Sequence, residues 1–487
     1  MDTTSPSAST GISQQPGKLP PATPVYVLRG HASPIHALHF CGQNSRLISG
    51  DADGWIVVWD TATKRPVAAW RAHKGAVLDV QGVDFELEAG SGTDGQVRER
   101  RIFTHGRDHK LFVWRLNPSE EDTLSKELPV DEIQDSQRNE PWLLHSLMVN
   151  ALNFCAFALC RLTRATQRPG TQAEVPQTEN ASDGQQHIGH SQVLLGVPNA
   201  LNSGGIDIFH LPSERRLCTI SPDPSVNTGM VMALEILLLP TSGALYIVSG
   251  YEDGSVMSHI LRGTVELQNH SEHKPSLSGT WERIYANRPH SQPVLSLAVS
   301  PTQMDYFLSS SADAIIAKHP ILVAPSSTPA AGKSTIPKAD SMPLKIVNTK
   351  HAGQQGIKIR SDGKIFATAG WDQRVRVYSC KAMRELAVLK WHQEGCYTVA
   401  FAEMGVFTDG SSNNMDSNAT TTGEKSERVQ DVVDTDAQET TTSTSLTRRE
   451  GIGSLAAIKE QRSRKAQLTH WLAAGSKDGK ISLWDIY

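Results

Sequence analysis

The amino-acid sequence predicts an all-β chain folded as a seven-bladed propeller, and three observations carry that expectation. First, the segments RGHASPIHALHF (29–40) and RLISGDADGWIVVWD (46–60) have a counterpart at the other end of the chain, HWLAAGSKDGKISLWDIY (470–487). Each tail alternates apolar and polar residues around a Gly/Asp turn, the period-two pattern of hairpins with one buried face. Second, a turn Asp precedes an aromatic by six residues at Asp53/Trp59, Asp108/Trp114, Asp372/Tyr378 and Asp478/Trp484. Asp253/His259 and Asp313/His319 keep the Asp and lose the aromatic. Third, His31, His73, His290 and His392 each have a strand residue at +4 and an apolar one at +7: Ile35/Leu38, Val77/Val80, Val294/Leu297 and Cys396/Val399.

Taken in order, the first two units are complete. The third is degenerate: it starts at His145, with Val149 and Leu152 in step, and its second half (193–211) has lost the turn Asp. The fourth has Asn227 where the His would stand, and the sixth starts at His351 with its strand one residue out of step. Seven units result, with six or eight as the alternatives. These units resemble the WD-repeat family, in which repeats of about 40–45 residues each build one blade. The expected organisation is a tail over 1–23 and a single WD-repeat propeller over 24–487 with long disordered insertions. The repeats run approximately 24–60, 67–116, 141–211, 216–261, 281–322, 344–379 and 386–487. The insertions, approximately 163–190, 323–343 and 403–467, are rich in Ser, Thr, Pro, Gln and charge, with too little apolar surface to order themselves. Only two residues follow Trp484-Asp485, so the last blade is expected to borrow PVYVLRG (24–30) as its outer strand, removing two exposed sheet edges.

Composition narrows the function. The chain has 487 residues, with 47 Lys+Arg against 51 Asp+Glu and a formal net charge of -4, so no positive field gathers nucleic acid. Its six cysteines are scattered without a CxxC pair, which reads as small core residues in a reducing compartment. The N-terminus lacks the apolar stretch of a secretory signal. No run reaches the roughly 18 apolar residues of a membrane span. A soluble intracellular protein is expected, which makes the Asn-x-Ser/Thr sequons at Asn180, Asn269 and Asn418 incidental. AAGKST (330–335) lacks the first Gly of a phosphate-binding loop, having Ser327 instead, and no HExxH or paired ligand spacing occurs. No cofactor, metal or small-molecule substrate is expected.

The WD-repeat resemblance implies a structural role for the recurring polar residues: a His, a hydroxyl, an Asp and an aromatic hydrogen-bonded within one blade. They are His31, Ser49, Asp53 and Trp59 in the first repeat, and His73, Thr104, Asp108 and Trp114 in the second. The sixth has His351, Thr368, Asp372 and Tyr378. The seventh has His392, Asp478 and Trp484, with Ala474 in place of the hydroxyl and hence an incomplete network. A catalytic Ser-His-Asp triad is the competing reading, but recurrence in several blades is a property of architecture. The residues just before the turn Asp (Ala52, Arg107, Glu252, Ala312, Trp371 and Lys477) are expected on one face. Trp371, Arg107, Glu252 and Tyr251 are therefore the candidate partner-binding residues, aromatic and Arg side chains being the types that most often anchor interfaces.

Over longer segments, VYVLRGHASPIHALHF, RPVAAWRAHKGAVLDV, IFTHGRDHKLFVW and PWLLHSLMVNALNFCAF resemble the fungal ASTRA-associated protein 1 family. That resemblance implies a non-enzymatic scaffold whose partners are protein subunits of a nuclear complex. It further implies involvement in chromatin regulation and in the assembly of large phosphatidylinositol-3-kinase-like kinases. Direct nucleic-acid or membrane binding is not expected. A signalling adaptor like a G-protein β-subunit is the alternative, and a propeller enzyme would need a convergent polar cluster at the central channel. The basic stretch 447–467, with Arg448, Arg449, Arg462, Arg464 and Lys465, reads equally as a nuclear-import signal or as a short solvated helix.

Overall fold

Alternating apolar strands separated by tight turns form seven antiparallel sheets of four strands each, standing around a central channel. The computed structural model describes residues 22–87, 97–131, 138–150, 154–162, 192–222, 224, 226–240, 242–266, 275–322, 342–405 and 455–486. In chain order the blades occupy 35–71, 77–148, 158–220, 231–287, 294–348, 354–390 and 396–485, the last completed by Tyr26–Arg29. Middle strands such as Arg46–Asp51 and Trp55–Asp60 are buried along nearly their whole length, because both faces of each sheet pack on neighbouring blades. Outer strands such as Lys345–Asn348 are mostly exposed. Between blades 1 and 2, Trp70 meets Trp114 edge-on at 5.7 Å, among Ile48, Ile56, Val77 and Ile102. Burying each such aliphatic side chain contributes about 1.5–3 kcal/mol.

Neighbouring blades are tied at their turns. Gly54, between the second and third strands of blade 1, has φ +88°, and a Cβ there would lie 2.0 Å from the carbonyl oxygen of His73. Only glycine allows that approach, and the His73 N–H donates to the Gly54 carbonyl at 3.1 Å. Gly479 stands in the same relation to His31, so the tie also crosses the seam between the two ends of the chain.

At that seam Tyr26–Arg29 pairs antiparallel with Lys480–Asp485, Tyr26 opposite Leu483 and Leu28 opposite Ile481, and Leu28 enters the core. The expected borrowed strand is present. A second connection reinforces it. The chain between the third and outer strands of blade 2 crosses over blade 1, where the Ala69 N–H donates to Ser125 O (2.8 Å) and the Val130 N–H donates to Gly30 O (3.1 Å). Buried Glu121 accepts Arg46 Nε and one Nη, at 2.9 and 2.6 Å, on the way. Asn44, in a turn of blade 1, receives the Glu403 N–H (2.8 Å) and donates Nδ2 to Glu403 O (2.8 Å) and Gln467 O (3.1 Å). One buried side chain thus holds both ends of the longest insertion.

Two expectations need correction. His145 does not begin the third repeat: it lies on Trp142–Met148, the outer strand of blade 2, with Nδ1 2.8 Å from Glu214. Val149 lies just beyond that strand and starts no new one, and Leu152 lies outside the described residues. The insertion over 403–467 is not wholly without order, since Leu455–Leu468 is an α-helix anchored at its C-terminal end on blade 7. The insertion 163–190, most of 323–343 and residues 406–454 lie outside the described residues.

Removing residues 1–20 should leave the melting temperature unchanged, while removing 1–30 should lower it and reduce solubility by exposing two edges. Thermal melts of the two truncations, if equal, would show that Tyr26–Arg29 does not close the ring.

Candidate functional site

The repeated polar residues meet inside the blades. In blade 1, His31 Nδ1–H donates to Asp51 Oδ2 (2.7 Å), leaving Nε2 to accept the Ser49 hydroxyl (2.7 Å). The Trp59 indole N–H donates to the same Ser49 Oγ at 2.8 Å. Asp51 Oδ1 also accepts the N–H groups of Asp53 and Trp55. Asp51 therefore takes the place expected of Asp53, which instead accepts Ser33 Oγ at the surface. The strand ends with a carboxylate two residues earlier, at a fully buried position, and the imidazole pairs with the nearer group.

Blade 2 follows the expected pattern: His73 lies 2.9 Å from Asp108 and 3.0 Å from Thr104, whose Oγ1 accepts the Trp114 indole at 3.0 Å. In blade 5 a histidine replaces the indole. Ser309 Oγ lies between His290 Nε2 (2.7 Å) and His319 Nε2 (2.9 Å), and Tyr285 OH is 2.8 Å from His319 Nδ1. Burial, aided by His290, holds His319 down at about 3, so it stays neutral.

In blade 7 the hydroxyl missing at Ala474 comes from another strand. Ser482 stands directly across the ladder from Ala474, and its Oγ bridges His392 Nε2 and the Trp484 indole N–H, both at 2.8 Å. His392 Nδ1 lies 3.7 Å from Asp478. Blade 6 makes the same cross-strand exchange with a charge. Arg376, opposite buried Thr368, reaches Asp372 at 3.0 and 2.5 Å. His351 is left exposed, 3.7 Å from that carboxylate. Tyr378 is buried and stacks on Phe366 at 5.0 Å. In blade 3, Asn199 and Thr219 surround Asp207, with Asn150 Nδ2 on the Asn199 carbonyl.

Blade 1 has the connectivity of a triad, yet Ser49 is fully buried and its oxygen already serves Trp59 and His31. These networks fix blade geometry, and leaving one buried partner unpaired costs about 1–3 kcal/mol.

The groups still available lie at the channel mouth. Arg107 is exposed and lies over the Phe154 ring at 4.8 Å, and Phe154 is itself 53% exposed. His36 and Tyr397 stack at 5.3 Å across blades 1 and 7. With Gln355, these residues line a cavity of about 180 Å³. Trp371 is 46% exposed, donates its indole N–H to Gln355 Oε1 (2.6 Å), and lies against Gly353, where any Cβ would collide with the indole. It therefore both packs and presents a ring edge to solvent. Glu252 is exposed beside the Met230 N–H, whereas Tyr251 is buried with its OH accepting from Ser249. Tyr251 is thus not a surface residue: it occupies the position of Asp51 and faces the core.

Deeper in the channel lies a polar group that the repeat pattern does not announce: Asp79, Glu235 and Lys358. Burial raises both carboxyls above their usual range, although Lys358 pulls the other way. Nearby, burial and Lys358 together lower His39 to about 4. The residue after each +4 position (His36, Leu78, Leu295 and Tyr397) also lines the channel.

Comparisons with known proteins align nearly the whole chain. The family profile described as ASTRA-associated protein 1 matches residues 24–484. The chain is 52% identical over 472 residues to the ASTRA-associated protein 1 of Aspergillus niger, covering 96% of this chain and 98% of that one. The similarity to the Penicillium rubens protein of that name is 52% over 473 residues, with the same coverage. In Schizosaccharomyces pombe it is 31% over 404 residues, covering 78% of this chain and 93% of that protein.

The buried charges lead to two expected outcomes. Asp51→Ala should destabilise by about 3 kcal/mol, because it leaves the buried His31 Nδ1–H and the N–H groups of Asp53 and Trp55 without their acceptor, whereas Asp53→Ala, which loses one surface contact, should cost under about 1 kcal/mol. Melts that rank the pair in reverse would return the role to Asp53. For Glu235, a folded-state pKa above the unfolded one means that ionisation opposes folding: the penalty is absent below about pH 4, grows as pH rises from the unfolded value to the folded one, and is complete above it. Glu235→Gln should therefore raise the melting temperature at pH 8 and leave it unchanged at pH 4. A gain of equal size at both values would contradict the sign.

Proposed function

The chain belongs to the ASTRA-associated protein 1 family, and from that premise we propose that it is a non-enzymatic scaffold subunit of an ASTRA-like nuclear complex. The observation that carries this reading is a contrast within the propeller. Its Ser-His-Asp constellations are sealed, while Arg107 and Phe154 stand open at the channel mouth and Trp371 is exposed beside Gln355, which lines it. A ring of rigid blades presents such groups in fixed geometry, so an incoming partner loses little free energy in ordering them. The finer part of the proposal rests on the resemblance: the complex serves chromatin regulation and the assembly of large phosphatidylinositol-3-kinase-like kinases. Protein subunits are the partners, and the nucleus is the place.

Affinity purification of the tagged chain, with identification of the co-purifying proteins, tests the reading. A chain recovered alone, or excluded from nuclei, would defeat it. Trp371→Ala and Arg107→Ala should each reduce recovery of the partner subunits while shifting the melting temperature by only a few degrees. Anchors of these types cost about 2 kcal/mol or more when a partner buries them. Normal folding with every partner retained would remove this face from the interface.

A further inference from the structure

The helix Leu455–Leu468 is poorly explained by the propeller it stands on. Of its 14 residues only Ala466 is buried. Among the described residues, side-chain hydrogen bonds hold its last turn and the residues just beyond it: the Trp471 indole N–H on Ala466 O (2.7 Å), Asn44 on Gln467 O, and Thr469 Oγ1 on Lys465 O (2.7 Å). A helix this short is marginal by itself in water, and one without an apolar stripe packed on its own fold takes its stability from something else.

Its charges act against it as well. Lys459, Arg462, Arg464 and Lys465 stand against the single acid Glu460, in a chain whose net charge is -4. Lys459, Arg462 and Lys465 succeed one another at i, i+3 spacing, where like charges repel. All three are exposed or partly so, and among the described residues none of them forms an ion pair. Ile458, Arg462, Lys465 and Leu468 share one helix face and line a concave surface of about 830 Å³ with His470 and Asp485. Exposed apolar residues thus flank two cations.

We propose that this face docks an acidic segment of a partner protein, whose carboxylates pair with Arg462 and Lys465 while an apolar side chain enters between Ile458 and Leu468. Charge complementarity selects this occupant: carboxylates relieve the repulsion along the helix, and the apolar contact supplies the packing it lacks. The proposal rests on the scaffold reading above, but its failure is distinguishable.

The test uses the tagged full-length chain purified with its complex. A water-soluble carbodiimide activates carboxylates and joins them, without a spacer, to lysine amines in contact with them. Amide links from Lys459 or Lys465 to Asp or Glu of a co-purified subunit are the expected result. An Arg462→Glu, Lys465→Glu double variant should lower recovery of that subunit at least tenfold without changing the melting temperature. The proposal is overturned by links confined to this chain's own carboxylates, by full recovery with the double variant, or by loss of the partner on nuclease treatment, which would make the occupant a nucleic acid. Full recovery with the variant leaves the scaffold reading standing, whereas a wild-type chain that purifies alone ends both.

Discussion

Ring closure is the constraint on which the other features depend. A blade buries its two faces only against neighbours, so the ring holds only if the first and last blades meet, and they meet through Tyr26–Arg29 paired with Lys480–Asp485. The Gly479 contact with His31 and the crossing of blade 2's connection over Gly30 gather at the same place. Unpaired there, two strand edges and the apolar surface around Leu28 would face water. The side chains at the channel mouth keep their spacing because the ring is shut.

Within the blades, the demand is for a polar atom at one place between the second and third strands, and the chain meets it from several positions. Ser49 and Thr104 supply it from the second strand, and Ser482 from the third. Arg376, on the third strand of blade 6, brings a guanidinium to the same neighbourhood. These sources lie opposite one another on the ladder, so either puts an atom in nearly the same space. The fold holds a location constant, and the residue number that fills it drifts.

This explains how much was legible in the sequence. Alternation, the Asp-to-aromatic spacing and the count of seven came through because they record strand period and turn length, which sheet geometry fixes. Asp51 did not, since a spacing rule points to Asp53 and nothing local says which carboxylate lies nearer the imidazole. Ser482 did not, because cross-strand neighbours are eight residues apart and look unrelated along the chain. Tyr251 was misread because the position before a turn residue is exposed in some blades, while the one before that is buried. The channel charges Asp79, Glu235 and Lys358 come from three blades, and only the closed ring brings them together.

Asn44 gives the longest insertion an unusual mechanical standing. Its one amide side chain grips the backbone at Glu403 and at Gln467, so the strands on either side see two fixed ends whatever the chain does between them. Length added between such ends changes only the entropy of closing a loop, by about 0.6 kcal/mol for each doubling. Blade 7 is in this sense a host: the gap before its second strand is clasped by a remote residue of blade 1, and a foreign domain spliced into that gap would load the propeller chiefly through the volume it excludes.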